Sequence, residues 1–228
     1  MRPTLHAVTD DAILARPRFV EVARDVMRCG GPRLALHLRT TAPDVRRLWQ
    51  LASALAEVQH ETGAWVVING RADLAIAVGA RGVQLGRRAP LVADIVRVRA
   101  TLAARGVPAA AALGIGASVH AAEEGDAAAR AGADWLMAGH IFVTGSHPAE
   151  AARGVAFLER VVAAATCPVI AIGGITPRTV GVVRRAGASG VAAIRGLWEQ
   201  PDAPAAVAEY LSAYDDADRD IDPTHGQR

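Results

Sequence analysis

The sequence predicts one α/β domain, a closed (β/α)8 barrel of parallel strands. Three observations carry that expectation. A helix-like stretch, then Gly, then a short apolar run recurs at four places, with Gly31, Gly79, Gly132 and Gly187 about fifty residues apart. A further apolar run precedes each of the four, which makes eight short strands. The chain has 228 residues, 51% of them hydrophobic and only 4% aromatic. That composition suits Ala-rich helices laid over strands buried on both faces. An open doubly wound sheet is the other arrangement that such alternation permits, and the near-regular spacing favours closure.

The elements follow in order. "LHAV" (5–8) is the first strand, and the second ends "RCGGPRLALHLR" (28–39) after the Gly that stops the preceding helix. Gly is suited to that place because it enters the left-handed conformation that turns a chain out of a helix. Residues 44–61, "DVRRLWQLASALAEVQHE", set apolar side chains at helical spacing behind a capping Asp. "WVVIN" (65–69) and "AVGARGVQLG" (77–86) supply strands three and four, "AALGIGAS" (111–118) and "RAGADWLMAG" (130–139) strands five and six. Residues 153–165 read as a helix, "PVIAIGG" (168–174) as strand seven, and 177–186 as a helix opened by Thr176 and Pro177. "RAGASGVAAIRG" (185–196) carries strand eight. The barrel is expected over 1–214, and the polar stretch 215–228 is expected to be a disordered tail.

Charge and composition narrow the partners. The formal net charge is +2 and the arginines are scattered, so nucleic acid is not an expected partner. No apolar run is long enough to span a bilayer and the first residues lack an apolar signal core, so a cytoplasmic protein is expected. Cys29 and Cys167 are read as buried reduced thiols, and no Cys/His spacing of the metal-binding kind is present.

In such barrels the chemistry sits at the carboxyl ends of the strands. That rule brings Arg39, Asn69, Gln84, His120, Gly139, His140, Gly173, Gly174 and Arg195 to one mouth. "AIGGIT" (171–176) and "AAIRG" (192–196), at consecutive strand ends, are expected to form a phosphate cup of backbone N–H groups. His120 ends strand five, where an imidazole could trade protons near neutral pH; His140 and His147 compete for that role. His6 and His37 lie within strands and are read as barrel-lining, whereas His60 and His225 are read as solvated. Asn69 and Gln84 are either polar liners of the site or hydrogen-bonding fillers of the barrel. Arg71, Arg87 and Arg88 are read as solvated.

"LHAVTDD", "NGRADLA", "RGVQLG", "SVHAAEE", "GHIF", "RGV" and "PVIAIGGITP" occur in order. Over about residues 5–212 the chain resembles the thiazole tautomerase (TenI) branch of the thiamine phosphate synthase superfamily. That resemblance implies a (β/α)8 barrel and, by analogy with relatives, a homodimer. The synthase branch joins a pyrimidine diphosphate to a thiazole phosphate with Mg2+. Its "QLRxK" reads here "HLRTT", keeping Arg39 but placing Thr41 where the Lys stands. Its "NDR" reads "NGR", with Asn69 kept and Gly70 in place of a metal-binding Asp. The second metal Asp is replaced by Ala89, and "TxTK" reads Thr144, Gly145, Ser146, His147.

The resemblance therefore implies a metal-free tautomerase, an isomerase that aromatises a carboxylated thiazole phosphate in thiamine biosynthesis and needs no cofactor. In that reading His120 is the proton shuttle and Arg39 holds the carboxylate. The phosphate rests on Gly173, Gly174, Ile194 and Arg195, with Thr144, Gly145 and Ser146 closing over it. The alternatives are a divergent Mg-dependent thiamine phosphate synthase and a non-catalytic barrel that binds a thiazole phosphate.

Overall fold

The computed structural model describes residues 2–41, 44–145 and 151–221. Eight parallel strands close into a barrel in sequence order: β1 (Leu5–Val8), β2 (Leu34–Leu38), β3 (Trp65–Asn69), β4 (Gly82–Leu85), β5 (Gly114–Val119), β6 (Trp135–Gly139), β7 (Val169–Ile172) and β8 (Gly190–Ala193). The helices are α1 (Asp11–Leu14), α2 (Phe19–Gly30), α3 (Val45–Thr62), α4 (Ala72–Val78), α5 (Val92–Ala104), α6 (Pro108–Ala111), α7 (Ala122–Arg130), α8 (Val155–Ala164), α9 (Pro177–Arg185), α10 (Arg195–Trp198) and α11 (Ala203–Ile221). The (β/α)8 barrel expected from the spacing is what the chain forms.

Both faces of the strands are buried, which is why they read as apolar runs without clean alternation. One face packs against the helices through residues such as Leu36, Ile68, Ile115 and Leu136. The other fills the barrel with Val8, Ala35, Val67, Trp135, Met137, Ile170 and Ala192. Trp135 takes most of that space. A Cβ on Gly114 would come within 2.8 Å of its ring and one on Gly82 within 3.0 Å, so two neighbouring strands carry glycine to admit the indole.

The local signals work as expected at several ends. Asp44 accepts from the Arg47 N–H at 2.9 Å and starts α3. Thr176 and Thr179 form a capping box around Pro177 at the start of α9. All four glycines of the repeat have positive φ. Strand five differs from its expected span. Pro108 starts the one-turn helix α6, which carries through Ala111, and β5 begins only at Gly114.

The tail expected to fray from residue 215 is helical as far as Ile221; residues 222–228 lie outside the described residues. Its charges look solvated in sequence but are paired in space. Arg33 holds Asp215 through two hydrogen bonds of 3.0 and 2.6 Å, and Arg184 donates to Asp218 while lying 4.5 Å from the centre of the Tyr214 ring. Tyr210 and Tyr214 donate to the carbonyls of Ile175 and Ser189 at 2.7 and 2.8 Å, which ties α11 to the barrel. The cysteines also differ from expectation. Cys29 is exposed, with its thiol facing the Pro204 carbonyl at 3.3 Å, and Cys167 is half-buried. Cys29 lies on the outer side of α2, and α2 turns Ala23, Val26 and Met27 inward instead. Among the described residues no helix is long and apolar enough to cross a membrane.

Candidate active site

The mouth is built from the strand ends. On one side, β6, β7 and β8 bring the expected phosphate residues together. Gly173 has φ +99°, and a Cβ there would lie 2.6 Å from His140 Cα. Gly174 has φ +66°, and its Cβ would lie 2.5 Å from the Val143 carbonyl oxygen. Both positions therefore need glycine, because the loop after β6 passes directly against the end of β7. That loop is stitched on by Ile141 N–H to Ile172 C=O and Phe142 N–H to Gly173 C=O, each at 2.9 Å. Among the described residues, no backbone bond occupies the N–H groups of Gly173 and Gly174.

Arg195, which follows Ile194 at the end of β8, lays its guanidinium across Gly145. A Cβ on Gly145 would meet Arg195 Cζ at 2.6 Å. Thr144, Gly145, Gly173, Gly174, Ile194 and Arg195 thus converge on one place from three consecutive strand ends. Glycine keeps the backbone reachable and Arg195 adds a cation, which together suit a phosphate. Ser146 and His147 lie outside the described residues.

His120 ends β5 beside this cup. Its N–H donates to Glu124 Oε2 at 2.7 Å and its carbonyl accepts from Arg153 Nη1 at 2.9 Å. Arg153 also donates to the Gly139 carbonyl at 3.1 Å, so one guanidinium ties the ends of β5 and β6 together. The His120 Nδ1 lies 3.5 Å from Glu124, an ion-pair distance without a formed hydrogen bond. Partial burial and then the Arg87 charge hold its pKa below the ordinary histidine value, with Glu124 opposing them. The ring is therefore neutral at neutral pH. His140 is buried behind the Gly173 backbone.

The other side differs from its sequence reading. Arg39 and Asn69 stand part-exposed at the ends of β2 and β3. Gln84 does not face the mouth. It is buried, accepting from Trp135 Nε1 at 2.9 Å and donating to Ser118 Oγ at 3.0 Å, so it belongs to the barrel filling. The side chain that reaches the mouth above it is Ser118. Sequence reasoning passed over Ser118, although the period-2 pattern of β5 sets it on the same face as Gly114 and Gly116. His6 and His37 line the interior as expected, 2.8 Å apart, with His37 also 3.3 Å from Asn69.

A model of the thiamine monophosphate synthase family (TMP-TENI) matches residues 5–197. The chain belongs to this family. It is 37% identical over 210 residues to a thiamine-phosphate synthase of Methanoregula boonei, covering 92% of each chain. It is 36% identical over 203 residues to a thiamine-phosphate synthase of Methanoculleus marisnigri, covering 89% of this chain and 90% of that one. Among solved structures it resembles a thiamine phosphate pyrophosphorylase from Pyrococcus furiosus, with a TM-score of 0.75 and 28% identity over 94% of this chain and 96% of the other.

These relatives overturn the expected thiazole tautomerase. They are named synthases, and the likeness runs through nearly the whole of each chain. The isomerase expectation rested on Gly70 and Ala89, where acidic ligands were sought, and on Thr41 and His147, where lysines were sought. A missing carboxylate argues about how a metal is held; it does not turn a transferase site into an isomerase site. The family is one of enzymes.

Among the described residues the donor set does not fit a divalent cation held by the protein. Asp11 accepts from Thr40 and Thr41, Asp73 is paired with Arg71, and Glu124 is taken by His120. Among the described residues no group of three or more His, Cys, Asp and Glu side chains could hold a metal ion. Cationic side chains are present instead. Arg39, Arg87 and Arg88 follow the ends of β2 and β4, and their guanidinium groups have no ion pair or hydrogen bond among the described residues.

Proposed function

We propose that the chain is a transferase of the thiamine phosphate synthase kind, joining a pyrimidine that carries a diphosphate to a thiazole phosphate. The convergence of Thr144–Gly145, Gly173–Gly174 and Arg195 on one place carries the reading. The names of its full-length relatives support the choice of reaction.

In this reaction the lone pair of the thiazole nitrogen attacks the methylene carbon of the pyrimidine. A carbon–nitrogen bond forms, the carbon–oxygen bond breaks, and the diphosphate leaves with the electron pair. The phosphate cup anchors the thiazole at the β7–β8 side and leaves its ring facing the mouth. The attacking nitrogen carries no proton, so the step needs no general base. His120 stands as a neutral polar wall of the site. The charge gathered on the departing diphosphate falls to Arg39, Arg87 and Arg88, whose planar forks match phosphate oxygens.

The test is formation of thiamine phosphate from the two substrates by the purified chain, run with Mg2+ and with EDTA. Product under either condition supports the reading. Arg87→Ala combined with Arg88→Ala is expected to lower kcat/KM by about tenfold or more, a loss of about 1.4 kcal/mol of transition-state stabilisation. Binding of thiazole phosphate without product in either condition would leave a ligand-binding barrel and overturn the transferase reading.

A further inference from the structure

The proposed phosphate cup draws on two turns that the sheet does not hold together. The last register pair between β7 and β8 is Ile172 with Ala192. Residues 173–175 and 194–196 lie beyond it, and among the described residues no backbone hydrogen bond joins one turn to the other. Each turn is fixed within itself. The Thr176 N–H donates to Thr179 Oγ1 at 2.9 Å, and the Ile194 carbonyl accepts from the N–H groups of Leu197 and Trp198 at 3.1 and 3.0 Å. Those bonds set the shape of each turn and leave the spacing between them to another group.

That group comes from the outer ring of helices. Tyr210, on α11, is fully buried. Its hydroxyl donates to the Ile175 carbonyl at 2.7 Å. The same oxygen lies against Gly196, where an added Cβ would run into it. Ile175 follows Gly174 and Gly196 follows Arg195, so one phenol touches the residue next to each half of the cup. The far end of α11 is held by Arg33 on Asp215 and Arg184 on Asp218, which gives the phenol a fixed base.

We propose that Tyr210 is a positioning residue, whose hydroxyl spaces the Gly173–Gly174 turn from the Ile194–Arg195 turn so that both face one phosphate. Hydrogen bonds weaken steeply with misalignment, so N–H groups and a guanidinium on separate turns serve one anion only if the turns keep their spacing. Without the hydroxyl, the Ile175 carbonyl loses its donor and a gap opens beside Gly196. The effect on a phosphate ligand rests on the cup of the transferase reading; the spacing of the turns does not. Tyr214 is the control. It lies one helical turn further along α11, and its hydroxyl donates to the Ser189 carbonyl at 2.8 Å. Ser189 precedes β8, at the end of the barrel away from the mouth.

The experiment compares Tyr210→Phe with Tyr214→Phe in the full-length chain. Each loses one hydroxyl-to-carbonyl bond, so urea unfolding should show similar destabilisation. Calorimetric titration with thiazole phosphate should show binding weakened about five- to tenfold in Tyr210→Phe and less than about twofold in Tyr214→Phe. Without ligand, the Thr176 and Leu197 amides should exchange hydrogen faster in Tyr210→Phe than in Tyr214→Phe. A rescue isolates the contact. Gly196 does not have positive φ, so alanine suits its backbone; the Tyr210 hydroxyl is the obstacle, and the next atom, the Ile175 oxygen, is 3.3 Å from the added Cβ. Gly196→Ala should weaken binding, and adding Tyr210→Phe should restore part of it, because the methyl takes the space of the lost hydroxyl. Equal affinities in the two Phe variants, or losses at positions 196 and 210 that simply add, overturn the proposal. A wild type that does not bind thiazole phosphate removes the cup reading; the two amides then decide alone, and unchanged exchange in Tyr210→Phe overturns the spacing role. The coupling reaction enters none of these readouts, so its failure leaves them intact.

Discussion

Gly173→Ala separates the packing demand at the proposed phosphate cup from the ordinary cost of a left-handed residue. Gly173 has φ +99°, and an added Cβ would sit 2.6 Å from His140 Cα and 3.1 Å from Ile141 N. Those are backbone atoms tied to β7, so they cannot swing aside as a side-chain tip would. The left-handed conformation alone costs alanine about 1–2 kcal/mol. Forcing the neighbouring backbone apart adds about 1–3 kcal/mol, so the total is about 2–5 kcal/mol. Gly79 is the control. It has φ +69° and nothing within 4 Å of an added Cβ, and it lies between α4 and β4, away from the mouth. Gly79→Ala should show only the first cost, about 1–2 kcal/mol. Urea unfolding of the two variants and the wild type measures the difference. Calorimetric titration with thiazole phosphate reads the site, and Gly173→Ala is expected to weaken binding at least about tenfold while Gly79→Ala leaves it unchanged. Equal destabilisation by the two substitutions would refute the close approach of the β6 loop. Unaltered affinity in Gly173→Ala would refute the phosphate cup.

Two further outcomes are expected. The folded chain holds His6 neutral, with its pKa lowered from 6.5 to about 4, and His37 lowered in the same direction. Stability from these rings is complete above pH 6.5 and is lost as the pH falls toward 4, because the unfolded chain takes up the protons first. The gap at His6 corresponds to roughly 3 kcal/mol over the whole window and roughly 2 kcal/mol by pH 5. Urea unfolding at pH 7 and pH 5 should show that fall, and His6→Gln should flatten it; a wild type equally stable at both pH values would contradict it. Trp135→Phe leaves Gln84 Oε1 buried without its donor and should cost about 1–3 kcal/mol beyond the lost volume. Restoring much of that stability with Gln84→Leu in the same chain would confirm the cause, and no recovery would point to volume alone.

Much of this architecture is legible locally. A capping Asp44, the Thr176–Pro177 start and four positive-φ glycines mark where helices begin and where the chain turns. These signals act through bonds and sterics within a few residues, so they survive reading one stretch at a time. The strand-end rule then gathers Arg39, Asn69, His120, Gly173, Gly174 and Arg195 at one mouth. It misplaces Gln84, because the rule says where a strand ends and not how deep a side chain sits. Asp215 and Asp218 look like the solvated charges of a tail until Arg33 and Arg184, far away in sequence, are found beside them.

What the sequence by itself determined is the number of strand–helix units, their order and the glycines that the turns and close approaches demand. Tertiary structure alone decided which side chains meet across strands. Asn69 sits opposite Gln84 in the β3–β4 register, yet its amide turns to His37 on β2, while Gln84 turns to a tryptophan 51 residues further along the chain. Spacing within one strand sets the face a side chain takes. Its partner depends on the stagger between strands and on the volume left by its neighbours, and those exist only once the barrel has closed.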